Sequence, residues 1–135
     1  MIGNGIIQRK LALLDDQVLK IQQHFQGMSL ERFSADWAQR SIAERSIQVA
    51  VELVIDIAER ILALRNAGPA ATASEAIEKL AGIGVLPSPQ PYGKMVRLRN
   101  LVVHEYESVD PIVLFDVITN HLQDFRSFRD AIDHA

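Results

Sequence analysis

Residues 47–64 read Ile47-Gln48-Val49-Ala50-Val51-Glu52-Leu53-Val54-Ile55-Asp56-Ile57-Ala58-Glu59-Arg60-Ile61-Leu62-Ala63-Leu64. Ile47, Val51, Val54, Ala58 and Ile61 follow one another in alternating steps of four and three, the spacing of one helical face. Ala50, Leu53, Ile57 and Leu64 lie beside that line and widen it. A stripe this wide has to be covered by several neighbours, so the segment reads as a central helix. Working outward, Ser34 suits an N-cap with Asp36 in the first turn, and Gly68-Pro69 stops the helix after about Asn66. Such a helix of roughly 30 residues is about 45 Å long and sets the long dimension of the fold.

The flanking segments carry the same period. Ile7, Leu11, Leu14, Val18, Ile21 and Phe25 form a second apolar line, ended by Gly27. That line reads as core, or as half of a dimer seam, but holds fewer than three heptads and is too short to read as a coiled coil. Thr72-Ala73-Ser74-Glu75 fits a capping box for a short third helix with Ile77 and Leu80 inward, closed by Gly82 and Gly84. Pro87-Ser88-Pro89-Gln90-Pro91 is a stiff connector. A fourth helix covers about Tyr92 to His104. Asp110-Pro111 opens a fifth, whose line is Phe115, Ile118, Leu122 and Phe125. No alternating pattern suggests strands. The expected fold is an all-α bundle of about five helices.

The chain of 135 residues is near the usual size of one domain, so residues 1–135 are taken as a single helical unit. Apolar residues make up 48% and charged residues 23%, too apolar for intrinsic disorder. With no cysteine there is no disulfide scaffold, no cysteine nucleophile and no thiolate metal site. Fourteen basic against seventeen acidic residues give a net charge of -3, so any nucleic-acid site has to be local. The N-terminus lacks a secretory pattern and no apolar run would span a bilayer, so the expectation is a cytoplasmic protein with no membrane partner. His24, His121 and His134 are scattered without metal-ligand spacing, and no phosphate loop or nucleophile elbow is present. Trp37 reads as a core anchor, and Arg126 and Arg129 as solvated charge.

One stretch carries chemistry. In Lys94-Met95-Val96-Arg97-Leu98-Arg99-Asn100-Leu101-Val102-Val103-His104-Glu105-Tyr106, three cations within six residues precede an amide, an imidazole and a phenol. On a helix Arg97, Asn100 and His104 share a face, whereas Arg99 and His104 diverge by about 140°. They meet on one ligand only if the helix ends near His104 or a second chain contributes. A guanidinium holds phosphate bidentately and an imidazole moves protons near neutral pH. Together they suit metal-free RNA cleavage, in which a ribose 2′-hydroxyl attacks the adjacent phosphate and arginine stabilises the growing charge. Solvated helix charges with His104 as a C-terminal dipole partner fit the same spacing. Lys94 and Arg97 are read as RNA-backbone contacts or as solvated charge.

Arg99-Asn100-Leu101-Val102-Val103-His104 resembles the Arg-polar-x-x-x-His signature of HEPN domains, and the extension to Tyr106 resembles their HepT-like toxins. The chain length, the helix order, the late position of the motif and the apolar helix after Val109-Asp110-Pro111 are similar too. The resemblance implies a HEPN-like bundle working as a homodimeric ribonuclease toxin, with two motifs meeting in a cleft. Arg99 and His104 would then be the catalytic pair, with Asn100 in support. The partner would be a minimal nucleotidyltransferase antitoxin that moves AMP from ATP onto Tyr106. The chain itself would need no cofactor. Glu105 and Glu107 are departures that put negative charge beside the site. The alternative is an inactive helical accessory subunit of a nucleotidyltransferase, since fold alone does not decide function.

Overall fold

A computed structural model of the protein describes residues 4–104 and 109–135. Its helices are α1 (Gly5–Phe25), α2 (Leu30–Ala35), α3 (Trp37–Leu64), α4 (Ala73–Gly82), α5 (Tyr92–His104), α6 (Pro111–Asn120) and α7 (Leu122–Asp133), with no strand among the described residues. The all-α expectation holds, with seven helices where the sequence suggested about five. One extra helix, α2, fills the stretch between Gly27 and Ser34 to which the sequence assigns no helix, and the other comes from a break in the segment read as the fifth helix.

The first break lies at Asp36. Ser34 is not an N-cap; it sits inside α2, which starts at Ser29, whose hydroxyl accepts from Arg32 N at 3.1 Å. Asp36, extended at φ -114° and ψ 104°, is the cap of α3 and accepts from Ala38 N at 3.0 Å. The second break lies at His121 (φ -121°, ψ 10°). There Asn120 Nδ2 donates to Asp116 Oδ1 at 2.8 Å and Thr119 Oγ1 to Phe115 O at 2.6 Å. These side-chain bonds accompany the break, which no Gly or Pro marks. Ile118, Leu122 and Phe125 are buried as the stripe predicts, but Leu114 takes its first buried position and Phe115 is half-buried against Phe33, with ring centroids 5.5 Å apart.

The apolar lines become one connected core. All six members of the α1 line are buried within the chain, so that face is core and not a dimer seam. On α3, Ile47, Ala50, Val51, Val54, Ile57, Ala58 and Ile61 are buried while Leu64 is exposed. The two helices are also tied at their polar edges. Gln17 Nε2 donates to Ser46 O at 3.1 Å, and Lys10 Nζ lies 2.5 Å from Asp56 Oδ2. Trp37 is the clearest miss among the core expectations. It is 72% exposed, because the break at Asp36 places it at the outer start of α3. Arg126 and Arg129 are tethers, with Arg126 donating to Gln22 on α1 and Arg129 bonded to Asp15 and Asp133.

Thr72 caps α4 through Glu75 N at 3.1 Å, and Glu75 Oε2 reaches back to Ala71 N at 3.2 Å, so the predicted capping box is present with its return bond one residue early. The connector then turns the chain into α5, which runs from Tyr92 to His104 as the sequence predicts. Gln90 starts that helix by accepting from Lys94 N at 3.2 Å. Its side chain lies so close to Gly93 that a Cβ there would sit 3.0 Å from the amide nitrogen. Helix α5 rests on α3 and α4, and Tyr92 packs its ring on Phe128 of α7 at 5.7 Å.

A candidate active site on helix α5

The cations of the motif all stand on α5, and the core side of that helix decides where each one points. Tyr92, Met95, Val96 and Leu98 are buried. Lys94, Arg97 and His104 are exposed, while Arg99 and Asn100 are half-buried. Arg99 therefore leaves the helix on its inward flank and His104 on its outward one. The divergence of about 140° is built into an unbroken helix that includes both residues. Tyr106, Glu105 and Glu107 lie outside the described residues, so the proposed AMP acceptor and the acidic departures carry no structural statement.

Arg99 Nε is buried and has no hydrogen-bond partner. Leaving a buried donor unsatisfied costs on the order of 1–3 kcal/mol. Such an orphan on a guanidinium is what a phosphate-binding arginine looks like before its ligand arrives. Among the described residues, Lys94, Arg97 and Arg99 make no ion pair, unlike Lys10, Arg60, Lys79 and Arg129. Seven other cations among the described residues, Arg9, Lys20 and Arg45 included, share that state, so a lack of acidic partners does not by itself set the α5 cations apart. Their clustering on one helix does.

Around the end of α5 and the start of α6, Leu101, Val103, Ile112 and Val113 are between 41% and 61% exposed. Between α3, α5, α6 and α7 the chain also forms a groove of about 430 Å³. Lys94 stands at its edge together with Asp116, His121 and Asp124. The sequence reading missed this cluster. His121 Nε2 lies 3.0 Å from Asp116 Oδ2, and His121 Nδ1 lies 3.5 Å from Asp124 Oδ2. The Asn120 amide, and after it His121, hold the Asp116 carboxyl below the usual carboxylate range. The available signal was the short spacing Asp116–Asn120–His121–Asp124, which links the end of one helix to the start of the next.

The other histidines serve local contacts: His24 Nε2 bonds Gln39 Oε1 at 2.8 Å and His134 Nδ1 bonds Asp130 O at 2.6 Å. Among the described residues no three His, Asp or Glu side chains gather where a metal ion would be held. No helix among them is long and apolar enough to cross a membrane.

A bundle of this order, with Arg and His spaced by five on a late helix, resembles a HEPN-type domain. The comparisons narrow it. The ribonuclease HepT-like family matches residues 14–132. The chain belongs to that family. It is 30% identical over 131 residues to the mRNA nuclease HepT of Shewanella oneidensis, covering 96% of this chain and 97% of that protein. It is 31% identical over 123 residues to the tRNA nuclease HepT of Aphanizomenon flos-aquae, covering 89% and 82%. Among solved structures it resembles the tri-AMPylated Shewanella oneidensis HEPN toxin in complex with MNT antitoxin. The TM-score is 0.89 at 29% identity, covering 98% of this chain and 99% of that one. A toxin–antitoxin crystal structure with AMP-PNP matches at TM-score 0.89 and 28% identity, covering 98% and 100%.

Proposed function

We propose that the chain is a cytoplasmic endoribonuclease toxin that cuts RNA without a metal ion and acts as a homodimer. His104 takes the proton from a ribose 2′-hydroxyl. The 2′-oxygen bonds to the adjacent phosphorus, the bond to the 5′-oxygen breaks, and that oxygen is protonated as it leaves. The products are a 2′,3′-cyclic phosphate and a 5′-hydroxyl. Arg99 holds the phosphate as its charge grows, Asn100 supports the pair, and Lys94 and Arg97 attract the RNA backbone.

The observation that carries this reading is the placement of Arg99 and His104 on opposite flanks of one helix, with an unpartnered guanidinium nitrogen on the inward flank. A second copy supplies the missing convergence, and the exposed apolar side chains at the α5–α6 end give it a surface to cover. Silencing is by a partner nucleotidyltransferase that transfers AMP from ATP to the Tyr106 hydroxyl and releases pyrophosphate. The added anion repels the RNA backbone and blocks access to the cationic cleft. The chain needs no cofactor of its own.

Incubating the purified protein with labelled RNA in chelator tests the reading. Cyclic-phosphate ends, lost in His104→Ala, are expected. Intact RNA at every protein concentration contradicts it and leaves an accessory subunit in its place. Tyr106→Phe should cut RNA normally and stay unmodified by the partner.

A further inference from the structure

We propose that the groove between α3, α5, α6 and α7 is a nucleobase pocket, selective for bases that carry an amino group. The inference rests on the nuclease reading for its biological use, but not for its chemistry.

The groove has the form of a ligand site: about 430 Å³, apolar inside, with a few polar groups at one edge. Met95 and Leu98 of α5, Val117 of α6 and Phe125 of α7 supply walls for the faces of a flat ring. At the edge stand two carboxylates and two nitrogen groups, from three different segments. Asp116 already accepts from Asn120 through Oδ1 and bonds His121 through Oδ2. Each carboxylate oxygen has a second lone pair, so the group is fixed in place and can still accept. The bonds from Asn120 and His121 keep it ionised. A carboxylate accepts and does not donate. It suits the exocyclic amino groups of adenine, cytosine and guanine, whereas uracil offers it a single imino N–H. Asp124 faces His121 from the other side, and Lys94 supplies a cation for the phosphate that a nucleotide carries.

Position along the chain gives the pocket its use. Leu98 lines the groove and Arg99 follows it, and His104 lies about 9 Å further along the helix axis. Arg99 stands about 100° round the helix from Leu98 and His104 about 120° the other way, so a base in the groove belongs to a different nucleotide of the same strand from the one whose phosphate the motif would hold. Splayed, unstacked bases are what sequence-selective RNA sites read. Ile112 and Val113, exposed apolar side chains that the second copy could cover, line the groove together with Asp116. Two sources of the same chemistry fit: a base of the RNA substrate, or the adenine of an AMP group added near the motif.

The probes are AMP and UMP, titrated into the full-length protein while methyl NMR signals of Met95, Leu98 and Val117 are followed. AMP should shift these signals, and UMP should bind at least tenfold more weakly. Asp116→Asn should erase that preference, and Val117→Trp should remove AMP binding while circular dichroism shows the helices intact. For the substrate source, cleavage of oligonucleotides varied one base at a time should show a preference beside the cut that Asp116→Asn flattens. For the AMP source, the AMPylated protein should show adenine-to-Val117 contacts and take up no free AMP. No methyl shift with millimolar AMP overturns the pocket, as does equal binding of UMP. A Val117→Trp protein that turns monomeric with AMP binding unchanged also overturns it, because the groove then holds the second copy. Methyl shifts with AMP but no RNA cleavage would support the pocket and reject the nuclease reading alone.

Discussion

The α1–α3 pair and the α5–α6 pair obey the same apolar period and end in different states. On α1 every member of the line is buried, and the polar edge is closed by Gln17 on Ser46 and by Lys10 and Arg60 on Asp56. At the α5–α6 end Leu101, Val103, Ile112 and Val113 are exposed, as Ile6, Leu13 and Leu19 are on α1, but here one guanidinium nitrogen is also buried unpaired. What sets the second pair apart is the unpartnered Arg99 nitrogen near exposed apolar side chains, which the proposed second copy and the RNA phosphate would cover.

The contrast can be broken from either side. The largest expected effect is His104→Ala, which should slow RNA cleavage by about 10²–10⁴-fold with the unfolding transition unmoved. A cleavage rate within a few-fold of the parent would remove His104 from the chemistry. Next comes Leu14→Ala in the first pair, which should cost roughly 2–5 kcal/mol of stability. Leu101→Ala at the open end, measured in a monomeric variant, should stay within about 0.5 kcal/mol. Urea unfolding of both variants checks this, and equal losses would mean that the two ends are not different in kind. Ile112→Asp should reduce the mass in light scattering from dimer to monomer with helicity kept. A persistent dimer would move the seam elsewhere.

The smallest effect is a pH dependence. Burial, and then the charges of Asp124 and Asp130, raise the Tyr92 hydroxyl above its ordinary value near 10. The folded state thus favours the protonated phenol. Its contribution is complete below the unfolded pKa and is lost as pH rises through the higher folded one. Stability should fall on the alkaline side above about pH 10, and Tyr92→Phe should flatten that fall in pH-dependent unfolding.

Most of the fold is legible in the sequence because burial follows the helical period. The α1 line, the α3 stripe and the bounds of α5 need nothing further. The break at Asp36 is not legible, because Ser34 and Asp36 are both good caps and a six-residue α2 is too short to show a period. The break at His121 is not marked either, since side-chain bonds accompany it and no Gly or Pro stands there. Trp37 follows from the first of these errors: a residue in the first turn of a long helix became one at an outer corner. The spacing of Arg99 and His104, and their divergence, could be read directly. The groove could not, because it exists only where four helices converge, and its edge residues are unremarkable singly.

The central claim is a nuclease site shared between two chains, and mixing two dead proteins tests it most directly. Arg99→Ala and His104→Ala are each purified, unfolded and refolded together, and RNA cleavage is measured in chelator. A shared site leaves one intact Arg99–His104 pair in every mixed dimer. Half of the dimers are then mixed with one of two sites whole, so activity should return to about a quarter of the parent level. A refolded mixture as inactive as either variant alone would contradict the shared site.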